Sequence, residues 1–123
     1  MKENVVRDKS YFFALRMVKV YKYLTQEQRE FVLSKQALRS GTSVGALVRE
    51  AEHAQSDADF VNKMNIALKE ANESIYWIEL FIASDILDKK QGESIWNDCN
   101  ELISLLVSII KTSKKNINAA DDI

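Results

Sequence analysis

Residues 57–86 read DADFVNKMNIALKEANESIYWIELFIASDI, and this stretch decides the fold class. Its apolar residues recur at three- and four-residue spacing, which places them on one face of a helix. That stripe consists of Phe60, Met64, Ala67, Ala71, Ile78 and Phe81. Ser56 supplies an N-cap before the stretch, and Asp57 and Asp59 place negative charge in a first turn that favours it. The stretch predicts a long amphipathic helix whose near-heptad rhythm is typical of helices that pack almost parallel.

The flanking sequence predicts three more helices, and together they fill one domain over residues 1–123. Thr25-Gln-Glu-Gln28 and Asp88-Lys-Lys-Gln91 have the form of capping boxes and predict the starts of the second and fourth helices. The chain has no proline and three glycines, a composition that favours long helices. Short connections force antiparallel neighbours, so we predict an all-α, up-down antiparallel four-helix bundle. The predicted helices span residues 8–24, 26–53, 57–86 and 89–115, with a frayed tail at 116–123.

Helical spacing also predicts which faces are buried. On the first helix the predicted core face consists of Tyr11, Phe12, Leu15, Val18 and Tyr21. Two glycines four residues apart, Gly41 and Gly45, indicate either a close approach of a neighbouring helix or a kink. The fourth helix is apolar over residues 102–110, and the third also carries exposed candidates such as Tyr76. This surplus over about three apolar positions per heptad predicts a face buried against another subunit. A wide core with partly exposed aromatic residues is the alternative.

Little in the sequence indicates catalysis. His53 is the only histidine and has only Glu50 and Glu52 nearby, so we predict no metal site and no cofactor. Cys99, the only cysteine, lies in the apolar stripe of the fourth helix and is expected to behave as a small hydrophobic residue. We therefore predict that the protein is not an enzyme. An unpaired cysteine, an N-terminus without an apolar signal core and the lack of a span of about 20 apolar residues favour a cytoplasmic protein away from membranes.

The charge distribution favours one kind of partner. The formal net charge is −1, yet residues 1–39 hold nine Lys/Arg against four Asp/Glu, and residues 40–123 hold eight against fourteen. The basic face predicted to contact nucleic-acid phosphates consists of Lys9, Arg16, Lys19 and Lys22. Tyr21 and Tyr23 are candidates to stack on unpaired bases. A merely solvated helix face is the alternative interpretation.

Two runs carry a resemblance to a known family: LRSGTSVGALVREAEHAQSDADF at 38–60 and IALKEANESIYWIEL at 66–80. They resemble the bacterial four helix bundle proteins, a family named for open reading frames in ribosomal-RNA intervening sequences. The family usually has Asn at the position of Leu47 and commonly Gly at that of His53. The residues that match the family motif are Arg39, Ser40, Ser43, Arg49 and Glu50, and buried polar groups at such positions are expected to form a network that fixes the second helix.

The resemblance implies a homopentamer with no known enzymatic activity. Relatives include the accessory protein of diversity-generating retroelements, a basic pentamer that binds nucleic acid and a reverse transcriptase. Together with the residues, it predicts a non-enzymatic homo-oligomer whose partner is structured RNA or a ribonucleoprotein. The alternative is a protein–protein scaffold that does not bind nucleic acid.

Overall fold

The computed structural model describes residues 2–121 and the side chains of residues 5–119. Four helices follow in order: α1 (Lys2–Gln26), α2 (Leu33–Ala51), α3 (Asp57–Ala83) and α4 (Lys89–Asp121). Each helix packs on the next, and α4 also packs on α1, while the diagonal pairs are not in contact over these residues. The arrangement confirms the predicted all-α, up-down four-helix bundle. None of the described helices combines the length and the apolar character that crossing a membrane requires.

The predicted start of the second helix at residue 26 is wrong. Thr25 does not cap a new helix, because its hydroxyl donates to the Tyr21 carbonyl inside α1 at 2.8 Å. Helix α1 continues to Gln26, a loop follows over residues 27–32, and α2 begins at Leu33. Arg29 lies in this loop with a φ of 55°. The capping-box pattern therefore identified a threonine that bonds back along its own helix, a common alternative for this residue type.

Glu30 supplies the cap of α2. Its carboxylate accepts hydrogen bonds from the backbone N–H groups of Val32 (3.1 Å), Leu33 (3.0 Å) and Ser34 (2.6 Å). Burial alone would raise the pKa of Glu30, but these hydrogen bonds outweigh it and hold the pKa below the ordinary value of 4.5. The carboxylate thus satisfies backbone donors that the first turn of a helix leaves without partners.

We expect Glu30→Gln to lower the free energy of unfolding by about 1 kcal/mol at neutral pH, the usual cost of a lost cap. Because the folded-state pKa of Glu30 is lowered, its contribution is complete above the unfolded-state pKa and is lost as the pH falls through the folded-state value. Urea unfolding between about pH 7 and about pH 3 should therefore show the two proteins converging in acid. Glu27→Gln, in the same loop, is the control, and equal stability of Glu30→Gln and the parent protein at neutral pH would contradict the assignment.

The other helix ends partly follow the sequence. Ser56 caps α3 as predicted, since its hydroxyl accepts from the Asp59 N–H at 3.0 Å. Asp88 likewise caps α4 by accepting from the Gln91 N–H at 3.2 Å. Helix α1 begins at Lys2, earlier than the predicted residue 8, and α3 ends at Ala83, short of residue 86. The predicted frayed tail is wrong as far as Asp121, because α4 stays helical to that point, and residues 122 and 123 lie outside the described part of the chain.

The two glycines of α2 mark a close approach and not a kink. Helix α2 runs without interruption, and both Gly41 and Gly45 are buried against α1. A Cβ atom on Gly41 would lie 2.5 Å from Met17 Cγ, and one on Gly45 would lie 3.3 Å from the Ser10 carbonyl oxygen. The absence of side chains at these two positions therefore sets how closely α1 and α2 pack.

Candidate interaction surfaces on α1

Helix α1 has two apolar faces, and the predicted one is not the face that enters the core. The buried face consists of Val6, Ser10, Phe13, Met17, Val20 and Leu24. By contrast, Phe12 is 59% exposed, Tyr11 52% and Leu15 45%, while Val18 and Tyr21 are half-buried. The prediction failed because both sets recur at helical spacing, so periodicity within α1 alone does not select between them.

The exposed set forms one continuous surface, which we call the α1 outer stripe. It consists of Val5, Tyr11, Phe12, Leu15 and Tyr23. Helix α4 covers this side of α1 only loosely, and a cavity opens on each flank of Phe12. One, of about 420 Å³, extends toward Tyr23 and Leu87, and the other, of about 400 Å³, extends toward Asp98 and Glu101. The stripe therefore borders a groove between α1 and α4 that the chain itself does not fill.

The four basic residues predicted to bind phosphates differ in their surroundings. Lys9 is ion-paired with Glu101, and Arg16 Nη1 lies 2.6 Å from Asp98 Oδ2, so both cross the groove to α4. Arg16 also donates to the Ser94 hydroxyl at 3.1 Å. Lys19 and Lys22 are exposed, and neither has an ion-pair partner within the described residues. Two of the four cations are thus partly neutralised within the chain, and two are free to meet a partner.

The predicted surplus of apolar surface lies on different helices from those we expected. Helix α4 places Leu102, Leu106 and Ile109 in the core and leaves none of its large apolar side chains strongly exposed over the described residues. On α3, Tyr76 is exposed and Ile66 is also accessible. The exposed apolar surface is concentrated on α1 instead, so a subunit contact through α4 has no support from burial.

The family-motif residues at the start of α2 form a polar network with α3. Arg39 donates to Glu70 at 3.1 Å and to Glu73 at 2.6 Å, and the Trp77 indole N–H donates to the same Glu73 oxygen at 3.2 Å. Hydrogen bonds to Glu70 and Glu73 raise the pKa of Arg39. For Glu73, burial would raise the pKa, but the bonds from Trp77 and Arg39 hold it below its ordinary value. This network joins α2 to α3 at the protein surface.

A second, buried link lies beside it. The Ser74 hydroxyl donates to Ser40 Oγ at 3.0 Å, and Ser40 bonds the Ala37 carbonyl within α2. Both serines are fully buried, so their hydroxyl groups need partners, and they find them in each other and in the helix backbone. Ser40 therefore fixes α2 against α3 from inside the bundle.

The other three motif residues do not join this network. Ser43 donates to the Arg39 carbonyl within its own helix at 2.6 Å. The Arg49 guanidinium lies 5.1 Å from the centre of the Tyr11 ring, a cation–π contact between α2 and α1. Glu50 lies 3.9 Å from Lys63 Nζ. They therefore act as separate contacts, and the Tyr11 contact had no signal in either helix alone because it depends on the interhelical register.

The chemistry-bearing side chains do not converge. Cys99 is completely buried, and its Sγ donates to the Ala71 carbonyl at 3.4 Å. Burial, and secondarily the charge of Asp98, raises the pKa of the Cys99 thiol to about 12, the opposite of an activated nucleophile. His53 is exposed at the end of α2. Within the described residues, no three His, Cys, Asp or Glu side chains are grouped so that they could hold a metal ion.

The fold and these surfaces define a small helical-bundle protein with an exposed apolar stripe on its first helix. Residues 2–108 match the 23S rRNA-intervening sequence protein family, and the chain belongs to that family. The crystal structure of a protein of unknown function from the S23 ribosomal protein family of Bacteroides thetaiotaomicron VPI-5482, at 1.70 Å resolution, is similar. It shares 63% sequence identity and a TM-score of 0.88, covering 90% of this chain and 99% of that one. No curated protein matches the chain.

Proposed function

We propose that the protein is a non-enzymatic assembly protein that forms a symmetric homo-oligomer through the α1 outer stripe. The observation that carries this proposal is the exposure of Tyr11, Phe12 and Leu15 together on one helix face. Contiguous exposed apolar surface on a small protein is typical of interaction sites. Aromatic side chains also dominate the energetics of such contacts.

A second apolar patch supports a ring. Ile66 and Tyr76 are exposed on α3, which lies diagonally across the bundle from α1. Two different patches on opposite sides of one chain suit a heterologous contact, in which the stripe of one copy meets a different surface of the next. Such contacts close into rings when the rotation between copies allows it. The family resemblance implies five copies, and we propose this pentamer as the assembled form, located in the cytoplasm.

We expect the purified protein to have a solution mass near five times the monomer mass of 14.1 kDa. The double variant Phe12→Glu/Leu15→Glu should shift it to the monomer mass, because burying two carboxylates without partners is strongly unfavourable. Light scattering coupled to size exclusion, at micromolar concentration, measures both.

The matched control is Phe31→Glu/Val32→Glu, which changes two exposed apolar residues in the loop outside the stripe. It should leave the mass unchanged. A parent protein that runs as a monomer would overturn the proposal, and so would a double variant in the stripe that keeps the full mass.

A second candidate function is nucleic-acid binding, for which one observation is the family's link to intervening sequences of 23S rRNA. Lys19 and Lys22 support it, since both are exposed and unpaired over the described residues. Lys9 and Arg16 would join them only by giving up the contacts with Glu101 and Asp98. Structured RNA or a ribonucleoprotein is the partner that this surface would take.

We expect Lys19→Gln/Lys22→Gln to weaken binding of a 20-base-pair RNA duplex and to make the salt dependence shallower by one to two phosphate contacts, about 0.9 per contact on a log–log scale. Fluorescence anisotropy at several salt concentrations measures this. Reversing the charge of Lys9 or Arg16 is a poorer test, since it would also place like charges beside Glu101 and Asp98. Lys69→Gln/Lys90→Gln removes the same charge elsewhere, and an equal effect of both variants would argue against this surface.

A further inference from the structure

The last turns of α4 carry a second cationic surface, separate from α1. Lys111, Lys114 and Lys115 are all exposed and, at spacings of three and four residues, lie on neighbouring positions of one helix face. None has an ion-pair partner among the described residues. The sequence contains no acidic residue between Glu101 and Asp121, so α4 offers them no carboxylate within two turns.

The register of the bundle leaves this part of α4 without α1 beside it. The ion pair between Lys9 and Glu101 aligns the two antiparallel helices, and it places Lys2, the start of α1, level with residue 108. The final turns of α4 therefore run past the described part of α1. On the α3 side, Asp57 and Phe60 line a shallow cleft with Ser113, Asn116 and Ile117.

Helix stability does not account for the three lysines. Cations stabilise the C-terminal end of a helix, but the effect is confined to about its last turn. Helix α4 continues to Asp121, so all three lysines lie more than one turn before its end. Nor do they carry i,i+4 pairs with glutamate, the usual arrangement of lysines on a solvated helix face.

We propose that Lys111, Lys114 and Lys115 form a phosphate-binding surface that takes the backbone of a nucleic acid independently of α1. Four residues of helix rise by about 6 Å, which matches about two phosphate steps at about 3.4 Å of axial rise per strand. The exposed neighbours Thr112, Asn116 and Asn118 add neutral hydrogen-bonding groups. No exposed large apolar or aromatic side chain lies beside the lysines in the described part of α4. The surface therefore contacts the backbone and does not discriminate between sequences.

This inference takes its class of partner from the nucleic-acid candidate above and differs in the surface that binds. In a ring the lysines would be repeated once per copy, and repeated weak contacts strengthen binding to one long polyanion. The full-length protein with a labelled 20-base-pair RNA duplex is the test, by fluorescence anisotropy at several salt concentrations. The variants are Lys111→Gln/Lys114→Gln/Lys115→Gln and the control Lys35→Gln/Lys69→Gln/Lys90→Gln, which removes the same charge from exposed, unpaired positions.

The α4 variant should bind about 10- to 100-fold more weakly at about 0.1 M salt, and its log–log salt slope should be shallower by about two to three. The control should lose little, and circular dichroism should show equal helicity. If both variants bind equally well, the α4 surface is wrong, and loss on Lys19→Gln/Lys22→Gln then leaves the α1 candidate standing. A parent protein that does not bind RNA at about 50 mM salt overturns both. Competition by polyglutamate that equals RNA charge for charge would overturn the nucleic-acid assignment alone.

Discussion

Replacing Gly41 by valine should destabilise the protein by about 3 kcal/mol. Even a single Cβ at this position would lie 2.5 Å from Met17 Cγ and 2.9 Å from Met17 Cβ. Met17 is 1% exposed and has no free space to move into. The gain of about 1 kcal/mol from removing a mid-helix glycine is smaller than the cost of pushing α1 away from α2. Thermal unfolding at fixed protein concentration should show a midpoint lower by about 10 °C.

Two further variants separate the clash from helix propensity. Ala46→Val introduces the same β-branched residue at an exposed position of α2 and should cost only a few tenths of a kcal/mol. In a Met17→Ala background, Gly41→Val should cost much less than in the parent, because the side chain it meets has been removed. Equal costs in both backgrounds would show that Met17 is not what excludes a side chain from position 41.

The fold class was predictable because it depends on periodicity along each helix. The stripe from Phe60 to Phe81 repeats at helical spacing over many turns, and the structure buries Met64, Ala67 and Ile78 from it. Ser56 and Asp88 also act as caps, as their sequence contexts indicate. Local rules suffice where one segment determines its own conformation.

The boundary between α1 and α2 was missed because two local signals compete there. Thr25 fits a capping box by its spacing to Gln28, but the same hydroxyl also bonds back to Tyr21 within a helix. The true cap, Glu30, lies before two exposed apolar residues, Phe31 and Val32, so the helical pattern resumes only at Leu33. A carboxylate three to four residues before the next apolar stripe was the available signal.

The candidate site was less predictable, because it depends on which helices are neighbours. The sequence places Lys9 and Arg16 on one face but gives no reason for Glu101 and Asp98 to lie opposite them. Likewise, the choice between the two apolar faces of α1 is made by what packs against each one. Gly41 and Gly45 were a usable signal for it, since they mark the side of α2 on which α1 lies, but they do not say which α1 residues meet them.

Cys99 should react with a thiol-specific disulfide reagent at least about 100-fold more slowly in the native protein than in the unfolded chain at about pH 8. Its side chain is completely buried between α3 and α4, and burial is the main reason that the pKa of its thiol is raised to about 12. The reacting species is the thiolate, which is therefore scarce as well as inaccessible. The rate of release of the chromophore, followed with and without guanidinium, measures the ratio.

The dependence on denaturant identifies the route by which the thiol reacts. If Cys99 becomes accessible only through unfolding, its rate should rise with guanidinium in proportion to the unfolded fraction. A stabilised or destabilised variant should shift the whole curve, and Gly41→Val supplies one, because it acts on the α1–α2 contact and leaves the surroundings of Cys99 unchanged. Fast labelling in the native protein, unaffected by Gly41→Val, would instead mean that α4 opens locally and that Cys99 is not held in the core in solution.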